Sequence, residues 1–239
     1  METPIISSFS ESEAATVYEP AEDSFLLIDA LEKELPEIAR RRPSLCVEVG
    51  SGSGIVTAAI AKALGRTCCF IATDINENAA AMTKRTCERN GADVDVVVND
   101  LVECLADRLR NRVDLLIFNP PYVVTPSKEV QGDQLLTRSW AGGIKGREVM
   151  DRLAPYVSQI LSDRGLYFLL VIKENDPVMG VVVGVADTEV LLGWLLSASS
   201  KLLTLLLRDD TLDWKWTAGR SRWREKEEKR AKRGGAKQV

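Results

Sequence analysis

Five short apolar runs recur along the middle of the chain: Leu45–Val49, Cys68–Thr73, Val94–Val98, Val113–Phe118 and Gly165–Ile172. Continuous runs of this length suit strands covered on both faces, and strands separated by helix-length segments pair in parallel. The segments between them, Ile55–Leu64, Asn76–Asn90 and Gly146–Leu161, carry helical spacing. A further helix is predicted over YEPAEDSFLLIDALEKEL (18–35), with Pro20 in its first turn and Glu22 and Asp23 at its positive end. The predicted class is α/β, a doubly wound and mostly parallel sheet. Ligands of such sheets bind beyond the carboxyl ends of the strands, where strand order reverses.

The strand ends are where polar residues collect. EVGSGSG (48–54) follows the first strand, with Glu48 inside that strand beside the turn, and turns through Gly50, Gly52 and Gly54, which let a backbone turn tightly and approach a ligand. Asp74 ends the second strand in IATDIN, placed either to hold both hydroxyls of a ribose or to cap the next helix. Asp100, followed by apolar Leu101, ends the third and can bind an adenine amino group or serve as another cap. The fourth runs into NPPYVV (119–124), where two prolines remove two backbone donors and stop the strand. NPPY reads either as a rigid turn or as a pocket for a flat, nitrogen-bearing substrate. WAGGIKGREVMDRL reads as helix-start punctuation at Gly142, Gly143 and Gly146, or as a substrate loop carrying Trp140. Arg147 and Glu148 read as solvated helix residues.

Jointly, the Gly turn, Asp74, Asp100 and NPPY resemble a class I S-adenosylmethionine-dependent methyltransferase with a Rossmann-like fold. More narrowly, YEPAEDSFLL, EVGSGSG, TDIN, VDLLIFNPPYVVTP, WAGG…GREVMD and GLYFLLVIKEN resemble the eukaryotic members of the HemK glutamine methyltransferase family over residues 17–177. The resemblance implies N5 methylation of the glutamine in the Gly-Gly-Gln loop of a translation termination factor. It also implies S-adenosylmethionine as cofactor, S-adenosylhomocysteine as product, no metal, and a heterodimer with a small zinc-binding activator subunit. By position it assigns Ser24, Glu48, Gly50, Gly52, Asp74, Asp100, Leu101 and Asn119 to the cofactor. Asn119, Pro120, Pro121 and Tyr122 fall to the target amide, with Asn119, Pro120 and Tyr122 catalytic. The alternatives are an N6-adenine DNA methyltransferase, a histone lysine methyltransferase, and an impaired protein that only binds its partner.

Composition narrows the field. The chain has no histidine, which excludes His-based triads and, with five cysteines and no CxxC pair, disfavours a bound zinc. The cysteine pattern indicates a reducing compartment, and the N-terminus lacks an apolar signal core, so cytosol or nucleus is expected. Net charge is −4; residues 220–239 hold nine Lys/Arg against three Asp/Glu, a local +6 that leaves −10 on residues 1–219. An acidic body argues against nucleic acid as the main partner.

Four regions follow. Residues 1–17 are expected to be flexible, 18–177 to form the methyltransferase domain, 178–219 an atypical apolar segment, and 220–239 a basic, disordered tail. Residues 178–239 depart from the family's pattern. A helix is predicted over Val190–Leu207, too broken by charge for a membrane span. Loss of the family's two closing strands would leave a sheet edge bare.

Overall fold

A computed structural model describes residues 1–175 and the strands Leu192–Ser197 and Ser200–Leu207. Within those residues β1 (Leu45–Val49), β2 (Cys69–Asp74), β3 (Asp95–Val98), β4 (Val113–Phe118), β5 (Leu161–Ile172), β6 (Leu192–Ser197) and β7 (Ser200–Leu207) form one sheet. Their order is β3-β2-β1-β4-β5-β7-β6. The first five strands pair in parallel, β7 joins β5 in parallel, and β6 turns back antiparallel to β7. Sequence order reverses between β1 and β4, which places the ligand position of a doubly wound sheet at their carboxyl ends.

Alternate residues of each central strand feed opposite layers of core. Cys46 of β1 and Leu115 and Ile117 of β4 pack on one face, with Phe25, Leu27, Ile28 and Leu31 of α2 (Glu22–Arg41) and Ile55 and Ile60 of α3 (Ile55–Leu64). Val47, Val49, Leu116 and Phe118 face the other way onto Met150, Leu153, Val157 and Ile160 of α8 (Glu148–Ile160), which follows the single-turn helices α5 (Ala106–Leu109), α6 (Ser127–Val130) and α7 (Leu135–Arg138). Every residue of β4 is buried, as a strand covered on both sides requires.

At the amino end of the sheet Asp114 accepts hydrogen bonds from Ser44 N, Ser44 Oγ, Ser162 Oγ and Arg164, tying the starts of β1, β4 and β5 together. Cys46, Cys68 and Cys87 are buried as small core groups, and all five cysteines are unpaired. Among the described residues no helix is long and apolar enough to cross a membrane.

Three expectations change. Residues 1–17, expected to be flexible, pack against the fold. They form α1 (Glu11–Ala14), capped by Ser10, and dock on α4 (Glu77–Arg89) through Glu13–Arg85 and a reciprocal pair between Ile5 and Asn90. Pro20 precedes α2 instead of lying in its first turn. The helix predicted over Val190–Leu207 is replaced by β6 and β7, and β5 is covered by β7 from Leu166↔Lys201 to Ile172↔Leu207. A continuous apolar run with no strict period does not distinguish helix from strand, and here the unpaired edge of β5 decides. The basic tail lies outside the described residues.

Gly54 shows how tightly the first turn is set. Its φ is +76°, and a Cβ there would lie 2.6 Å from the Thr83 backbone on α4. Gly54→Ala is therefore expected to destabilise the fold by about 2–4 kcal/mol, read from the urea midpoint. An unchanged midpoint would refute that close approach.

Candidate active site

All eleven sequence-predicted site residues line one cleft at the switch point between β1 and β4, with an interior of about 210 Å³. The register explains their meeting. Val49 pairs with both Thr73 and Phe118, so the Gly turn, Asp74 and Asn119 follow side by side. Thr16, Val17 and Tyr18 add a wall from the N-terminal segment.

One half of the cleft is acidic. Asp74, buried at the end of β2, accepts Gly52 N and Asn76 N at 2.9 Å each, one on each carboxylate oxygen. Burial raises its pKa, and those backbone donors pull it back. The helix cap of α4 is Asn76, whose Oδ1 accepts from Asn78 N at 3.0 Å, so Asp74 does not play that part. Glu48 is buried beside the turn with Thr57 Oγ1 donating to it, and burial pushes its pKa up to about 8. Asp100 is half-buried and paired with Arg152 of α8 at 2.6 Å. Leu101 beside it is buried with φ +52°, a strained conformation for a residue other than glycine.

The other half is built around Asp23, in the first turn of α2. Its Oδ2 accepts from Asn119 Nδ2 and from Tyr122 Oη, both at 3.1 Å, and its Oδ1 accepts more distantly from Tyr18 Oη at 3.5 Å. Burial and then the Asp23 charge push the Tyr122 phenol well above its usual range, and Tyr18 rises to about 12 for the same reasons. A carboxylate can only accept, so it settles which way the Asn119 amide faces. Asn119 Oδ1 is left buried without a hydrogen-bond partner. Such an atom calls for a donor from a ligand.

The NPPY backbone is held from below. Val123 N donates to Trp140 O and Gly142 N to Val123 O, joining the loop to the glycine segment ahead of α8. A Cβ on Gly142 would stand 2.6 Å from Pro121 O, and one on Gly146 2.0 Å from Tyr122 O. These glycines thus serve close backbone packing under the clamp, more than helix punctuation. Glu148 accepts from Ile144 N and Ser127 Oγ, and Arg147 pairs with Asp151, so neither is simply solvated. Asp23 and Asn175 were missed from sequence. The signal for Asp23 lay in YEPAED, where its position at a helix start suggested only a dipole effect.

A family model for the Methyltransferase small domain matches residues 21–138. Methyltransferase HEMK2 of Homo sapiens is 50% identical over 175 residues, 73% of this chain and 80% of that protein. HEMK2 of Mus musculus is 49% identical with the same coverage. The eRF1 methyltransferase catalytic subunit mtq2 of Schizosaccharomyces pombe is 33% identical over 189 residues, again 73% of this chain and 80% of that protein. With its Gly turn, strand-end acids and NPPY clamp assembled in one cleft, the chain belongs to the HEMK2 family of methyltransferases.

Proposed function

We propose that this chain methylates the side-chain amide nitrogen of a glutamine in the Gly-Gly-Gln loop of a translation termination factor, using S-adenosylmethionine. The observation that carries the reading is the unpartnered, buried Asn119 Oδ1, fixed as an acceptor by Asp23. The name of the fission-yeast relative, an eRF1 methyltransferase subunit, supports the substrate.

The residues present fit the cofactor by their chemistry. Asp74 keeps acceptor capacity on both oxygens for a ribose diol, since each takes one backbone donor. Asp100 and Leu101, which line the same cleft, would hold the adenine, and Glu48, Gly50, Gly52 and Ser24 the ribose and methionine. Asn119 would contact both the cofactor and the acceptor amide. When bound, S-adenosylmethionine supplies a methyl group on a sulfonium.

The chain's own part is to place and polarise the acceptor. Asn119 Oδ1 takes one N–H of a planar NH₂ group and the Pro120 carbonyl the other, which aligns the nitrogen for in-line attack. An amide lone pair is delocalised, so acceptors that favour positive charge on the nitrogen favour the transition state over the ground state. Pro121 limits loop motion, and Tyr122 packs against the flat group. As the C–N bond forms the S–C bond breaks to leave a neutral thioether, and the extra proton on the nitrogen then passes to solvent water, so no group with a pKa near 7 is required.

A small zinc-binding activator subunit is proposed as partner, seated on the β3 edge. Val98 of β3 is 51% exposed and Ile75 beside it 42% exposed, apolar surface that a partner would cover. Translation termination makes the cytosol the proposed compartment.

The test is methyl transfer by the chain, co-expressed with the activator, to a termination factor, an adenine-bearing oligonucleotide and a lysine peptide. Methylation of the Gly-Gly-Gln glutamine is expected. Preferred transfer to adenine or lysine would overturn the assignment.

A further inference from the structure

Asn175 closes the short 3₁₀ turn Lys173–Asn175 after β5 and is 1% exposed. Its Nδ2 donates to Tyr122 O at 2.8 Å and to Lys145 O at 2.9 Å. Its Oδ1 accepts from Ile172 N at 2.8 Å. The orientation of this amide is fixed by its neighbours: a backbone N–H faces one side and carbonyls the other, so the NH₂ must point at the NPPY loop. One side chain thereby ties the loop after β4, the glycine segment ahead of α8 and the end of β5.

We infer that Asn175 is a positioning residue for the acceptor clamp, acting through the Tyr122 carbonyl on the NPPY backbone. The inference rests on the proposed function for its kinetic consequence, and on geometry alone for its structural one. The packing at this point leaves no slack, since the Gly146 Cβ position lies 2.4 Å from Asn175 Nδ2 as well as 2.0 Å from Tyr122 O. With the donor gone, two carbonyls lose a buried partner, and the Tyr122–Val123 peptide keeps its bond from Val123 N–H to Trp140 O but loses the one at its carbonyl, so it can tilt about that remaining tie. Turning it moves Val123, whose N–H and C=O hold Trp140 and Gly142, and tilts the Pro120 carbonyl that the acceptor needs. None of these contacts involves the Gly turn or Asp74, so the cofactor half is untouched.

The discriminating variant is Asn175→Asp, equal in shape but presenting acceptors to both carbonyls. It is assayed as the full chain with its co-expressed partner, alongside Asn175→Ala in case the aspartate blocks folding. In either variant kcat for glutamine methylation is expected to fall by about 10- to 100-fold, because misplacement on the scale of an ångström has that effect. The KM for the acceptor protein and the Kd for S-adenosylmethionine by calorimetry stay within about threefold. Hydrogen exchange of the Val123 and Gly142 amides is expected to quicken by at least about tenfold, while the β4 amides keep their protection. Unchanged exchange at Val123 and Gly142, or equal losses in kcat and cofactor affinity, would overturn the inference. Exchange needs no acceptor, so if the wild-type chain fails to methylate glutamine the proposed function falls and exchange alone decides the role of Asn175.

Discussion

Asn119→Ala lowers the rate of methyl transfer by about 10³-fold, the expected loss when a preorganised acceptor at the reacting atom is removed. The substitution deletes the Oδ1 that has no other partner and releases Nδ2 from Asp23. Affinity for the cofactor falls by no more than about tenfold, one hydrogen bond's worth, since Asp74, Asp100 and the Gly turn remain. Asn119→Asp is expected to be equally inactive for a second reason. Its carboxylate would face the Asp23 carboxylate at the distance where Nδ2 now donates, and like charges that close disfavour the native rotamer. Initial rates on the termination factor and calorimetry with the cofactor read both effects. Either variant retaining more than a tenth of wild-type turnover would remove Asn119 from the chemistry.

Stability of the cofactor-free chain falls as pH rises from about 5 to 8. The cause is Glu48, whose pKa of about 8 in the fold compares with 4.5 for the ordinary side chain. Between those values the folded chain holds a proton that the unfolded chain has released, so unfolding free energy decreases with pH. The contribution is fully present below pH 4.5 and gone above 8. Glu48 is buried, and the loss amounts to about 5 kcal/mol. Urea midpoints between pH 5 and 9 measure it, with Glu48→Gln as reference. The variant's curve is expected to lack this component, and parallel curves for the two chains would show that Glu48 does not titrate in this window. A cation brought into the cleft favours the charged form, so cofactor binding tightens with pH over the same range.

Much of this site was legible because the local signals agreed. β1, α3 and β4 occupy the residues their apolar spacing indicates; Asp74 closes β2, Asn119 follows β4 directly, Glu48 is one residue from the end of β1 and Asp100 two beyond β3. Parallel pairing then brings those ends together without further information. What sequence concealed were contacts between distant segments. Asp23 is 96 residues from Asn119, and as a helix-start acid it had a sufficient local explanation. Asn175 ends KEN, where a strand-terminal polar residue invites no question, and its role appears only when Tyr122 O and Lys145 O lie over it. The glycines at 142 and 146 looked like punctuation because crowding is invisible in one dimension. Residues 1–17 misled through composition, being Ser- and Glu-rich yet fastened by Asn90 and Arg85. The 190–207 run misled by continuity, since only the open edge of β5 makes it a strand.

A side-chain amide has two nearly identical ends, and turning it over exchanges an acceptor for a donor with hardly any change in shape. Asp23 breaks that symmetry for Asn119 from a helix that precedes the first strand. Were the amide reversed, the same cleft would offer an NH₂ to the incoming group and welcome carbonyl or carboxylate oxygens. At the Asn119 half of the clamp, the preference for nitrogen over oxygen thus depends on one aspartate outside the sheet. Relatives that handle other acceptors could be told apart first at that position, before any difference in NPPY itself.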